Sequence, residues 1–179
     1  MFSALPRSRA VPYSPKARVR LGPNRGATSF VCQLHPPSLP EVTHPLFIYG
    51  TLRPGLAPAE VAPVVAQLHP VAEAHLRGTL YHLGHYPGLV LTPVTGKVNG
   101  IVFELPPDAQ IAFKLLAQLD LYEGFSPQSP ADSLFLRVLH LVTLSTGELL
   151  TCWVYLFNQH PGSAPILEDG RFPPCQSSR

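Results

Sequence analysis

Residues 134–144 and 148–157 face each other across Thr146-Gly147, and both segments are apolar on both faces over part of their length. A hairpin lying on water would alternate apolar and polar residues, so this pair calls for a closed or covered sheet. Further strand-like segments stand at 46–49, 71–83, 88–92 and 97–105. Residues 107–122 form the best helix: Pro106 and Asp108 suit its first turn, and Ile111, Leu115, Leu119 and Tyr122 make an apolar stripe. Residues 59–68 have helical spacing but contain Pro63, which limits them to a short or kinked helix. No internal repeat is visible. The expected fold is α+β, a small mixed β-barrel flanked by helices, occupying residues 45–172.

Composition supports one such domain, because 45% hydrophobic residues against 13% charged ones can fill a core. No apolar run approaches the roughly 20 residues needed to cross a bilayer. Charge is unevenly spread. Six of the thirteen Lys and Arg precede the first acid, Glu41, and the remaining chain carries seven basic against eleven acidic residues. Residues 1–44 are rich in Pro, Ser and Arg and lack a sustained period. They read as a disordered extension or as a start placed too far upstream, with an organelle transit peptide as the alternative. Nothing aromatic or Gly-rich interleaves the basic residues, so a nucleic-acid arm is disfavoured. Residues 173–179 read as a short tail. Cys32, Cys152 and Cys175 are too few and too far apart for a disulfide framework or a zinc signature, which favours a reducing, cytoplasmic setting.

Tyr49-Gly50-Thr51-Leu52-Arg53-Pro54-Gly55 follows the first strand. A strand ending in glycine can turn sharply and present several backbone N–H groups together, a concavity suited to a carboxylate or a developing oxyanion. Thr51 adds a hydroxyl and Arg53 a candidate carboxylate clamp. A simple turn is the commoner meaning of such a stretch. A nucleotide loop is excluded, because Leu56-Ala57 stands where Lys-Ser/Thr is required.

Leu119-Asp120-Leu121-Tyr122-Glu123-Gly124-Phe125 closes the helix, with Gly124 as the expected cap. Glu123 lies at the negative end of the helix dipole, and Asp120 sits one turn earlier. Both influences would raise its pKa towards the range useful in proton transfer. A solvated carboxylate at a helix end is the alternative, and Asp120 reads as structural, either exposed or binding nearby backbone.

Taken in order, these stretches resemble the γ-glutamyl cyclotransferase-like family, also called AIG2-like. Phe47-Ile48-Tyr49-Gly50-Thr51-Leu52-Arg53 is similar to the family's opening motif, and residues 78–89, Gly-Thr-Leu-Tyr-His-Leu-Gly-His-Tyr-Pro-Gly-Leu, to its second signature. Residues 98–105 resemble the strand that follows, Arg137 and Trp153-Val154-Tyr155 the final strand pair, and Gly170-Arg171-Phe172 a closing motif. Phe135 stands where the family often has tyrosine.

The resemblance implies that Glu123 is the catalytic glutamate. The family's reaction folds a γ-glutamyl group so that its α-amine attacks its own γ-carbonyl, giving 5-oxoproline and a free amine. Glu123 would act as general base and then acid, with no metal or organic cofactor. Tyr49, Gly50, Thr51, Leu52 and Arg53, with Tyr86 and Phe125, are the expected substrate-binding residues. The partner is then a small γ-glutamyl molecule, an amine more than an amino acid derivative, with neither nucleic acid nor membrane involved. A non-catalytic binding or regulatory domain of the same fold and transfer of the γ-glutamyl group to water are the rival readings. His82 and His85 flank Gly84 with no Cys or carboxylate nearby and read as loop histidines. Cys152 reads as an inert buried thiol, and Cys175 as an exposed one without an activating base.

Overall fold

The computed structural model describes residues 44–92 and 96–172. Apart from His44, the head at 1–44 lies outside the described residues, as do the tail at 173–179, Cys32 and Cys175.

Five strands close a barrel in the order β1, β5, β2, β6, β7: β1 is Leu46–Ile48, β2 His69–Arg77, β5 Lys97–Glu104, β6 Phe135–Leu144 and β7 Leu149–Phe157. Most neighbours are antiparallel, but β1 meets β7 in parallel at Leu46 and Trp153, and this contact shuts the barrel. The sheet is therefore mixed, as expected. Strands β3 (Thr79–His82) and β4 (Pro87–Val90) form a separate two-stranded ribbon. The single strand expected over 71–83 is thus two strands in two sheets. The chain leaves the barrel at Gly78, whose N–H donates to the Gly96 carbonyl at 3.1 Å, one step past the last pair of β2 and β5, Arg77 with Lys97. Alternating hydrophobicity looks the same in both pieces, so pattern alone could not place this break.

The β6–β7 hairpin runs in register from Phe135 opposite Phe157 to Thr143 opposite Leu149, and it turns at Thr146-Gly147. Closure explains its inward apolar residues, such as Val142, Cys152 and Val154, which are fully buried. Outward residues Leu139, Leu141 and Leu149 stay exposed, so closure accounts for only one of the two apolar faces.

Two helices lie against the barrel. Helix α1 (Ala62–Val65) is one short turn with proline in its first turn, where the missing N–H costs nothing. Helix α2 (Ala109–Tyr122) is started by Asp108, whose carboxylate accepts from the N–H groups of Gln110 and Ile111 at 2.8 and 2.9 Å. Its buried face is Ala112, Leu115, Leu116, Leu119 and Asp120. The stripe expected from sequence is rotated by part of a turn: Leu115 and Leu119 are buried, whereas Ile111 and Tyr122 are exposed.

Strand β1 shows how the core divides. Leu46 and Ile48 face the helices with Val61, Val65, Leu115 and Leu119, while Phe47 and Tyr49 point the other way, among Leu76, Val98, Val102 and Val154. No helix among the described residues is long and apolar enough to cross a membrane.

Strand β1 can lie this close to β5 only because residue 100 has no side chain. A Cβ on Gly100 would stand 2.5 Å from the Ile48 carbonyl oxygen and 2.7 Å from the Phe47 ring. Replacing Gly100 with Ala should lower stability by about 1–3 kcal/mol through this overpacking, measured as a lower urea midpoint with an unchanged slope.

Candidate active site

The end of α2 is fixed by backbone geometry. Phe125 N–H donates to the Asp120 carbonyl at 2.8 Å and Gly124 N–H to the Leu121 carbonyl at 3.3 Å, the paired bonds of a Schellman ending. Gly124 takes φ +65°, a backbone shape that side chains resist, so Glu123 is the capping residue and Gly124 follows it.

That ending aims the Glu123 carboxyl into a cavity of about 240 Å³. The cavity brings Glu123 together with Tyr49, Gly50, Thr51, Leu52 and Tyr86, all expected from the sequence. Tyr122, Leu134, Phe135 and Tyr155 complete much of the wall. Tyr122 had been read as part of a buried stripe, and Phe135 only as a departure from a pattern. What puts them in the cavity is the placement of α2 and β6 around one opening, which carries no local signal.

Within the wall, the Thr51 and Leu52 N–H groups have no acceptor among the described residues. The turn after β1 therefore has unspent donors, as its sequence led us to expect, and its residues line the cavity. Arg53 does not line this cavity. Its guanidinium donates from Nε to the Gly50 carbonyl at 3.0 Å and from Nη2 to the Phe172 carbonyl, so it holds the turn in place instead of offering a clamp there. Phe125 is also outside the lining. Its ring lies 5.9 Å from the Arg137 guanidinium and packs on the core beside α2.

Glu123 is pushed up to about 7 by burial. The sequence argument had the direction but the wrong cause. Asp120 exerts little influence because its own charge is matched: Arg137 donates to both of its carboxylate oxygens, at 2.8 and 3.1 Å, and the Tyr155 hydroxyl adds a bond at 2.8 Å. Asp120 is structural, as expected, yet it is neither exposed nor bound to backbone. Arg137 in turn stacks 4.5 Å from the Trp153 ring. Tyr49 donates to the Tyr155 carbonyl at 2.8 Å, which ties β1 into the same chain of contacts.

Burial, and then the negative charge of Glu123, holds the Tyr49 hydroxyl well above its ordinary range. Tyr122 is raised for the same two reasons in the same order. Tyr155 is raised by burial first, then by Asp120, with Glu123 a lesser cause. Three protonated phenols thus surround one carboxyl. Elsewhere, His82 packs its ring 5.7 Å from that of Phe172, and burial pushes the Cys152 thiol up to about 11.

Comparison with known proteins bears on the family and the fold. Residues 46–173 match the model of the family described as "Gamma-glutamyl cyclotransferase, AIG2-like". No curated protein sequence matches the chain. The solved structure of an AIG2-like protein from Mus musculus superposes with a TM-score of 0.53 at 22% identity, covering 70% of this chain and 86% of that one. YkqA from Bacillus subtilis gives a TM-score of 0.52 at 20% identity over 72% of this chain, which spans only 39% of YkqA. At such identities the two structures establish the fold.

Two outcomes follow for stability. Asp120→Ala strands the Arg137 charge and should cost about 3–5 kcal/mol, read from chemical denaturation. Glu123→Gln should act in the opposite sense. With a folded pKa near 7 against an ordinary value of 4.5, the folded protein retains a proton that the unfolded chain releases. The resulting penalty grows as pH rises from 4.5 to 7 and is constant above. Glu123→Gln should therefore stabilise by about 1–3 kcal/mol at pH 8 and by nothing measurable at pH 4.

Proposed function

Since the chain belongs to the γ-glutamyl cyclotransferase, AIG2-like family, we propose that it cyclises a γ-glutamyl amine to 5-oxoproline and releases the amine, with Glu123 moving the protons. The observation that carries this reading is a single carboxyl with a pKa of about 7, set in a cavity that also contains the donor-bearing turn at 50–52.

Intramolecular attack needs a folded substrate more than an enzyme nucleophile. In the proposed sequence, the Glu123 carboxylate takes a proton from the α-ammonium group, and the α-nitrogen bonds to the γ-carbonyl carbon. The bond from that carbon to the departing nitrogen then breaks as Glu123 returns a proton to it. Two protons leave the α-nitrogen overall and two arrive on the departing amine, so none is consumed. A carboxyl near pKa 7 can both accept and donate at neutral pH. The Thr51 and Leu52 N–H groups are the donors assigned to the glutamyl end, whether its carboxylate or the developing oxyanion. Tyr49, Gly50 and Tyr86 shape the remaining surface.

An amine is preferred over an amino acid as leaving group because no Lys or Arg lines the cavity among the described residues. A second carboxylate, as on a γ-glutamyl amino acid, would lack a cationic partner. Tyr86, Tyr122 and Leu134, each partly exposed, suit an apolar amine instead. The odd number and wide spacing of the cysteines support a reducing, cytoplasmic setting for this reaction.

The test is incubation with a panel of γ-glutamyl amines and γ-glutamyl amino acids, with detection of 5-oxoproline. Turnover should favour amines and rise with pH through about 7, because the base must start ionised. Glu123→Gln should reduce it by about 10²–10⁴-fold while the circular dichroism spectrum is kept. Retained turnover in that variant would sink the mechanism. Glutamate as product would mean transfer to water, and saturable binding without amine release would mean a binding domain.

A further inference from the structure

A second cavity, of about 270 Å³, opens on the barrel beside the turn that holds Gly50, and Arg53, Arg171, Asn99 and Glu73 are among the residues that line it. Arg53 is held rigidly there. Its bonds to the Gly50 and Phe172 carbonyls use two of five guanidinium N–H groups and leave three unspent. Arg171 is exposed, and among the described residues its side chain has no carboxylate partner within ion-pair distance. Only its backbone is engaged, donating to Asp169 at 3.1 Å.

Two guanidinium groups sharing one small cavity repel each other. The repulsion is felt, since Arg53 is lowered from its ordinary pKa first by burial and then by the Arg171 charge. Glu73 does not neutralise the pair: it forms no ion pair with either arginine, and it is exposed at the rim. Asn99 is oriented by its bond from Nδ2 to the Asp169 carbonyl at 3.1 Å, which leaves its side-chain oxygen and a second N–H. Planar, fixed guanidinium groups are the donors best matched to oxyanions.

We propose that this cavity is a binding site for the phosphate or carboxylate group of a small molecule, gripped between Arg53 and Arg171. It is separate from the Glu123 cavity and does not depend on the reaction assigned to that cavity. Glu73 limits the net charge of the site to +1, so its removal should tighten the grip.

Inorganic phosphate and acetate serve as probes, each titrated by isothermal calorimetry and by amide chemical shifts against sodium chloride of equal ionic strength. Saturable binding of either probe, with shifts at Arg53, Asn99 and Phe172, is the expected result; which probe binds tells phosphate chemistry from carboxylate chemistry. Arg171→Ala, at an exposed side chain with no structural contact, should weaken binding by about tenfold or more, while Glu73→Gln should strengthen it severalfold. Glu123→Gln should leave it unchanged. A response matched by chloride, no saturable response to either probe, or equal affinity in Arg171→Ala would overturn the site.

Discussion

The Asp120 carboxylate is the interaction on which the rest of the site depends. It is a charge on the buried face of α2, and it is tolerable there only because Arg137 from β6 and the Tyr155 hydroxyl from β7 fill its acceptor positions. Tyr155 passes the connection on through its carbonyl to Tyr49, immediately after β1. One carboxylate thus joins the last turns of the helix to three strands of the barrel. Glu123 stands three residues further along the same helix, so its position is inherited from that anchor.

The anchor also sets the electrostatics. With its charge matched by Arg137, Asp120 does not act as a free anion beside Glu123, and the proton affinity of Glu123 is governed by burial. The surrounding phenols remain protonated, which keeps further negative charge out of the cavity. A carboxyl that exchanges protons at neutral pH is therefore obtained from an apolar, aromatic wall, without a nearby unpaired charge. Arg53 has the matching role on the other wall. By holding the Gly50 carbonyl it stiffens the turn that lines the cavity of Glu123, and its side chain lines the second cavity.

Much of this was legible from residue order. The Tyr49 to Arg53 turn, the Gly124 ending of the helix and the Thr146-Gly147 hairpin carry local signatures, because glycine and proline act on the backbone next to them. The raised pKa of Glu123 was legible in direction alone. Its cause was not, since no spacing reveals that Arg137, seventeen residues after Asp120, closes on that carboxylate. Arg53, expected as a carboxylate clamp, and Phe125, expected among the substrate-binding residues, both lie outside the lining of the Glu123 cavity: Phe125 packs against Arg137, and Arg53 is held on two backbone carbonyls.

The sequence by itself determined the ingredients: strands that need a closed sheet, a turn with free donors, and a carboxyl at the end of the one long helix. It could do so because hydrophobic period, turn chemistry and capping are local properties of the chain. Only the tertiary structure decided which face of α2 is buried, where the strand over 71–83 breaks between barrel and ribbon, and which side chains share a cavity with Glu123. Those outcomes depend on contacts between residues distant in sequence, such as Asp120 with Arg137 and Tyr49 with Tyr155, and on the space left at Gly100 for β1 to close the barrel.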